Sequence, residues 1–368
     1  MREFAQERAH ADAREPGATS HALHMRSCDT NFCGLPTSGS RSFCRPFGPY
    51  PYPSRHGGSF MLRAFFVNLS ENRFLRNFAE RSAIGHRVSG RFVAGTEIAD
   101  AVRVTQAVNR AGMSVSIDNL GENVTNPEEA SHSAQLYRQI LDAIAADQLN
   151  ANISLKLTHM GLDVDEKMAR ELVAGLVAKT ASMQPPGFVR VDMEGSPYTQ
   201  RTLDFVHELH SMPGNQNSVG TVIQAYLKRS ESDIEKLLAE GIRIRLCKGA
   251  YKEPPDIAFE NKADVDANYV KLMKILMKSG IYHGMATHDE NMIREAQAFA
   301  TREKIARDSF EFQMLYGIRR DLQQRLVKDG WRMRVYIPFG TEWYPYFMRR
   351  LGERPANVFF IARNLLRS

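Results

Sequence analysis

The chain has 368 residues, 43% hydrophobic and 24% charged, with 48 Lys and Arg against 42 Asp and Glu for a formal charge of +6. That make-up is ordinary for a soluble globular protein with a large core, and it excludes a disulfide-dense mini-domain, a collagen-like chain and a mostly disordered one. No apolar run approaches the roughly 18 residues of a membrane span, and no basic run or aromatic-basic stripe points to nucleic acid.

The first 60 residues differ from the rest. They hold six Gly, six Pro, seven Arg, no Lys and five acids, and carry no apolar periodicity, so they bury too little surface to offset their ordering entropy. They read as a disordered extension, a presequence unusually rich in acids, or residues ahead of a start at Met61. Cys28, Cys33 and Cys44 fall in this segment at a spacing that matches no strong zinc pattern. Cys247 alone lies in the body, which speaks for a reducing compartment.

From Met61 apolar periodicity sets in. A helical stretch over 61–113 leads to eight short β-branched runs: 114–120, 152–157, 188–194, 220–226, 243–249, 284–289, 310–315 and 332–338. They recur every 20–40 residues or so, the rhythm of repeated βα units. Between them run helical patterns. Asn126-Pro127-Glu128-Glu129 reads as a cap, a first-turn proline and acids at the positive dipole end, with Leu136, Ile140 and Ile144 on one face. Met168, Leu172 and Leu176 form the next stripe. Ser232 to Glu235 reads as a capping box for a helix ended by Gly241, and Met292 and Ala296 continue the pattern. A closed (βα)8 barrel is predicted. Its rival, an open doubly wound sheet binding a nucleotide, would want a GxGxxG string, and none occurs.

In such a barrel chemistry sits at the carboxyl ends of the strands. The runs carry polar residues there: Asp118 and Glu122, Lys156, Asp192 and Glu194, Gln224, Arg245 and Lys248, His288 and Asp289, Glu311 and Gln313, and Tyr336. A buried charge needs a partner or a charged ligand, so these residues form either an internal ion-pair network or a site for an anionic ligand. After the last strand, Tyr346, Arg350 and Glu353 share a helix face beside Arg349. This face is either exposed or a guanidinium clamp for a carboxylate. Lys156 inside a strand also suits a Schiff-base lyase.

The ordered strings DNLGE, ISLKL, VDMEG, VIQAYLKR, RLCKGAY, ATHDE, FEFQMLYGIRRDL, VYIPFGTEWYPYFMRRL and FIARNLL resemble the proline dehydrogenase family across residues 61–368. The resemblance is to its monofunctional bacterial form, related to the corresponding domain of proline utilization A. By that resemblance no aldehyde dehydrogenase domain is expected to follow. It implies a distorted (βα)8 barrel with amino-terminal helices and a helix after strand eight closing the mouth. It implies FAD, held without a covalent bond, oxidation of L-proline to Δ1-pyrroline-5-carboxylate, and electrons passed to a membrane quinone. Such an enzyme would be cytoplasmic with peripheral contact at the inner membrane face, and would need no metal.

By the same resemblance Arg349, Arg350 and Lys156 would bind the proline carboxylate, with Asp118 in support. Tyr336, Tyr346 and Leu315 would wall the ring, Tyr251 and Leu246 would lie near substrate and flavin, and Glu353 would orient the closing helix. Asp192, Gln224, Arg245, Lys248, Gly249, Thr287 and His288 would contact FAD. Lys156, Tyr336, Arg349 and Arg350 would be the catalytic set. Hydroxyproline-oxidising relatives carry a smaller residue where Tyr336 stands, which favours proline here.

Overall fold

The computed structural model describes residues 89–121 and 124–353, with 349–353 described by their backbone alone. Residues 1–60, Glu122 and most of the helical stretch expected over 61–113 lie outside the described residues. Within that stretch α1 (Ile98–Arg110) is described. The elements then alternate: β1 (Ser114–Asn119), α2 (Pro127–Ala146), β2 (Ala151–Leu155), α3 (Glu166–Ser182), β3 (Val189–Val191), α4 (Ser196–Ser211), β4 (Val219–Gln224), α5 (Ser230–Ala239), β5 (Arg243–Cys247), α6 (Lys262–Lys278), β6 (His283–Ala286), α7 (Glu290–Glu303), β7 (Phe310–Leu315), α8 (Arg320–Lys328), β8 (Met333–Phe339) and α9 (Trp343–Glu353). A 3₁₀ turn, Thr158–Met160, follows β2.

The strands close in sequence order into a parallel barrel, and β8 returns to β1 with Val115 beside Val335 and Ile117 beside Ile337. The predicted barrel is therefore the observed fold and the open sheet is excluded. Strands of a parallel sheet are usually apolar on both faces, but these alternate. Val115, Ile117, Ile153, Leu155, Val189, Val191, Val335 and Ile337 are fully or almost fully buried beneath the helices, each contributing about 1.5–3 kcal/mol. The residues between them turn inward and are polar: Ser116 and Asp118 on β1, Asn152 and Ser154 on β2, Arg190 on β3, Arg243 and Arg245 on β5, Glu311 and Gln313 on β7, Arg334 and Tyr336 on β8.

The helices follow their local grammar with two corrections. Asn126 caps α2 by accepting the Glu129 N–H at 2.9 Å, with Pro127 in the first turn. In α3 the buried stripe is Ala169, Val173, Leu176 and Val177, one residue round from the predicted one, so Met168 and Leu172 sit on its edge. The capping box at Ser232 does not form. Helix α5 starts three residues earlier than a box capped by Ser232 would start it, with Arg229 at the cap position, because the Ser230 hydroxyl donates to the Gln224 carbonyl at 2.6 Å and ties the helix start to the end of β4. Gly241 does follow α5, with φ 78°. Met292 and Ala296 are buried in α7 as expected.

Candidate active site

The carboxyl-terminal half of the barrel is organised around Arg245. Its guanidinium donates from Nη1 to Asp192 Oδ1 at 2.7 Å and to Ser154 Oγ at 3.2 Å, from Nε to Gln313 Oε1 at 2.6 Å, and from Nη2 to Ser116 Oγ at 3.2 Å. Asp192 also accepts the Ser154 hydroxyl at 2.8 Å and the Tyr336 hydroxyl at 2.8 Å. Side chains from β1, β2, β5, β7 and β8 thus meet with Asp192, the residue just past β3. The Arg245–Asp192 pair is 8% and 13% exposed. Such a pair holds only because the remaining donors and acceptors are satisfied, and here they are. Arg245 also stacks 5.1 Å from the Tyr336 ring centroid. Burial, then Asp118 and Asp192, push the Tyr336 phenol well above its ordinary pKa against the opposing pull of Arg245, so it serves as a neutral donor.

Above this layer Lys156 lies one residue past β2, at the mouth rather than inside the strand, with Nζ 3.9 Å from Asp118 Oδ2. The Tyr137 hydroxyl on α2 lies 2.9 Å from the Ser154 carbonyl and 3.3 Å from Asp118 Oδ1, and shares its proton between them. Tyr137 is fully buried, and burial followed by the charge of Asp118 pushes its pKa well up. A lysine that forms an imine must react as the neutral amine, and an ion-pair partner works against that. The Lys156–Asp118 pair thus suits binding of a carboxylate.

On the β5–β6 side of the mouth, Lys248 is shared between Asp266 on α6 and Asp289, which caps α7. Burial would raise both carboxyls, but Lys248 and Lys262 outweigh it and hold them below their ordinary range. Gly249 follows with φ 118°, and a Cβ there would stand 2.2 Å from the Tyr226 ring, so the turn leaves no room for a side chain. Thr287 Oγ1 accepts the Asp289 N–H at 3.0 Å. His288 Nε2 accepts the Leu315 N–H at 2.9 Å, which leaves the ring proton on Nδ1. Gln224 Nε2 donates to the Glu194 carbonyl at 2.9 Å, while the Glu194 carboxylate accepts the Thr158 N–H and hydroxyl. Tyr251, 37% exposed, stands on the loop after β5, and Glu253 of that loop accepts the Ser196 N–H at 2.7 Å.

Leu315 neighbours Tyr336 in the β7–β8 register. It packs against the cluster that seats α9, in which Tyr346, Trp343 and Phe347 meet Phe92, Val93, Leu120 and Ile318. Arg349, Arg350 and Glu353 follow on α9, but their side chains lie outside the described residues. Two expectations are corrected. Leu246 lies between inward-facing Arg245 and Cys247, so alternation turns it to the helix layer, where it is fully buried. Glu311 is the second residue of β7 and sits at the opposite end of the barrel from the mouth. Tyr137 and Asp266 take part in the network without a local sequence signal; each is an unremarkable helix position that only packing brings to a strand end.

A closed parallel barrel with a polar interior, whose carboxyl-terminal mouth gathers an ion-paired lysine, an aromatic wall and a second cationic patch, defines a (βα)8-barrel enzyme. The chain belongs to the proline dehydrogenase family, whose sequence pattern matches residues 101–363. It is 41% identical over 308 residues to proline dehydrogenase 1 of Bacillus subtilis (strain 168), covering 83% of this chain and 100% of that one. It is 39% identical over 280 residues to proline dehydrogenase of Deinococcus radiodurans, covering 75% and 89%. Among solved structures, proline utilization A from Bdellovibrio bacteriovorus, inactivated by N-propargylglycine, shares the fold with a TM-score of 0.70 at 24% identity, over 79% of this chain and 36% of that one. Among the described residues no helix is long and apolar enough to cross a membrane.

Proposed function

We propose that this protein oxidises L-proline to Δ1-pyrroline-5-carboxylate with FAD as its cofactor and a membrane quinone as the final electron acceptor. The observation that carries the reading is an ion-paired lysine and an anchored tyrosine at one mouth. Lys156 is held by Asp118, and Tyr336 is fixed through Asp192 to Arg245.

The residues at the β5–β6 end suit a dinucleotide. A pyrophosphate calls for a cation and neutral donors close to bare backbone. Lys248 supplies the cation, His288 the Nδ1 proton and Thr287 a hydroxyl, and Gly249 keeps the turn clear. Lys248 would exchange one of its two carboxylate partners for the phosphate, with Lys262 compensating Asp266. When bound, the flavin supplies the acceptor for hydride from the proline ring carbon next to nitrogen, and no metal is required.

This chain's own residues bind and orient. Lys156, with Arg349 and Arg350 from α9, would hold the proline carboxylate. Tyr336, Leu315 and Tyr346 would pack the ring and exclude water. Arg245, Asp192 and Gln224 would brace the barrel floor beneath the flavin, and Tyr251 would stand on the loop at the rim. Glu353 would orient α9. The test is the absorption spectrum of purified protein. A flavin band that bleaches on adding L-proline under anaerobic conditions is expected. A colourless protein, or a band indifferent to proline, would overturn the reading.

A further inference from the structure

The amino-terminal half of the barrel holds more positive charge than its partners neutralise. Arg190, Arg243 and Arg334 border one cavity of about 20 Å³ together with Glu311. Glu311 is fully committed. Its Oε1 accepts from Arg334 Nε at 2.6 Å and Gln313 Nε2 at 2.7 Å, and its Oε2 accepts from the Tyr282 hydroxyl at 2.9 Å. Burial would raise this carboxyl, but Arg334, Tyr282 and Gln313 outweigh it and leave it below its ordinary range. Glu311 therefore serves Arg334. Of the carboxylates nearer the mouth, Asp192 serves Arg245 and Asp118 serves Lys156.

Arg190 and Arg243 are left without a carboxylate among the described residues. Arg190 is 4% exposed. Its Nη1 donates to the carbonyls of Thr221 at 2.8 Å and Arg243 at 2.6 Å, while its Nε is buried with no hydrogen-bond partner. Arg243 donates Nε to the Tyr282 carbonyl at 3.3 Å. Both guanidinium groups face the Phe188 ring, at 4.6 and 4.3 Å from its centroid. Gly220 makes room for them, since a Cβ there would stand 3.0 Å from Arg190 Nη1 and 2.2 Å from the Arg243 carbonyl oxygen. Two cations this close repel each other, and a buried charge without a counter-charge is costly.

We propose that this end of the barrel binds a single monatomic anion, chloride under cellular conditions, between Arg190 and Arg243. The cavity has room for one water-sized body, which takes about 10–15 Å³, and none for a sulfate, phosphate or carboxylate group. Arg243 is only part-buried, which leaves the ion a way in from the face opposite the catalytic mouth. The site is independent of the flavin reading.

Two measurements test it. Thermal unfolding of the purified protein is followed in sodium chloride and in sodium gluconate at equal ionic strength. A rise of roughly 2–4 °C in chloride at about ten times its dissociation constant, growing only logarithmically beyond it, is expected, absent in Arg243→Met. Crystals of the unaltered protein grown in bromide should show an anomalous peak against Arg190 Nε. Equal melting in the two salts together with no bromide peak would mean that water fills the cavity, and would overturn the proposal. So would a chloride effect of the same size in Arg243→Met, since the ion would then act elsewhere.

Discussion

The Tyr336 hydroxyl donates to Asp192 Oδ2 at 2.8 Å, joining β8 to the end of β3 across the barrel. The ring is thereby anchored to the carboxylate that pairs with Arg245, and cannot swing aside for a bulkier ligand without breaking that bond. A 4-hydroxyl on the substrate would have to displace the ring or be buried without a partner, at about 1–3 kcal/mol. A preference for L-proline over trans-4-hydroxy-L-proline of about 10–150-fold is expected. Tyr336→Ser should narrow it, mainly by losing proline activity. If kcat/KM for both substrates moves in proportion, Tyr336 is not the selector.

Asp192→Asn removes the carboxylate from Arg245 but keeps the shape. The buried guanidinium is then uncompensated, and a loss of about 3–5 kcal/mol is expected. Urea unfolding of the variant measures it. Ser154→Ala, which removes one neutral partner of the same network, should cost only about 1 kcal/mol.

Arg350→Met should raise KM for proline strongly while the protein stays folded and keeps the flavin band proposed for the unaltered protein. Losing a charge-assisted, two-point contact with a carboxylate costs about 2–4 kcal/mol of binding. Unchanged proline kinetics in a folded variant would remove Arg350 from the site.

His283 gives a pH dependence with a definite sign. Its ring is buried, and burial followed by Arg190 and Arg243 lowers its pKa to about 3, while Nδ1 accepts the Ile244 N–H at 3.0 Å. In the unfolded chain it titrates near 6.5, with the usual value of about 6.5 for histidine. The folded state thus binds fewer protons in between. Its contribution is present above pH 6.5 or so and is lost as pH falls toward about 3, at about 1.4 kcal/mol per pH unit. Between pH 6.5 and 4.5 the protein should lose about 2–3 kcal/mol more than His283→Asn does. Parallel stability curves for the two proteins would show that His283 is not responsible.

Deleting residues 1–60 should leave activity and melting temperature nearly unchanged, since that Gly- and Pro-rich segment has no apolar periodicity to pack with. Loss of soluble, flavin-bearing protein on truncation would show that it contributes to the fold.

Much of this protein is legible in its residues alone. The eight strands follow from short β-branched runs, because alternation of side chains is a local property of an extended chain, and their spacing leaves room for one helix each. The ordered strings from DNLGE to FIARNLL carry the family. Local signals fail where a partner distant in sequence decides the outcome. The Ser230 hydroxyl finds the Gln224 carbonyl and starts α5 two residues before its apparent cap. Tyr137 lies on a helix and meets Asp118 and Ser154 only once β1 and β2 are paired. Glu311 looked like a mouth residue because it shares β7 with Gln313, yet barrel closure puts it at the far end with Arg334. Which charges neutralise one another, and so which two arginines are left over for an anion, is set by the closing of eight strands into a ring. A ring brings residues more than a hundred positions apart, such as Ser116 and Arg245, into contact that no local pattern encodes.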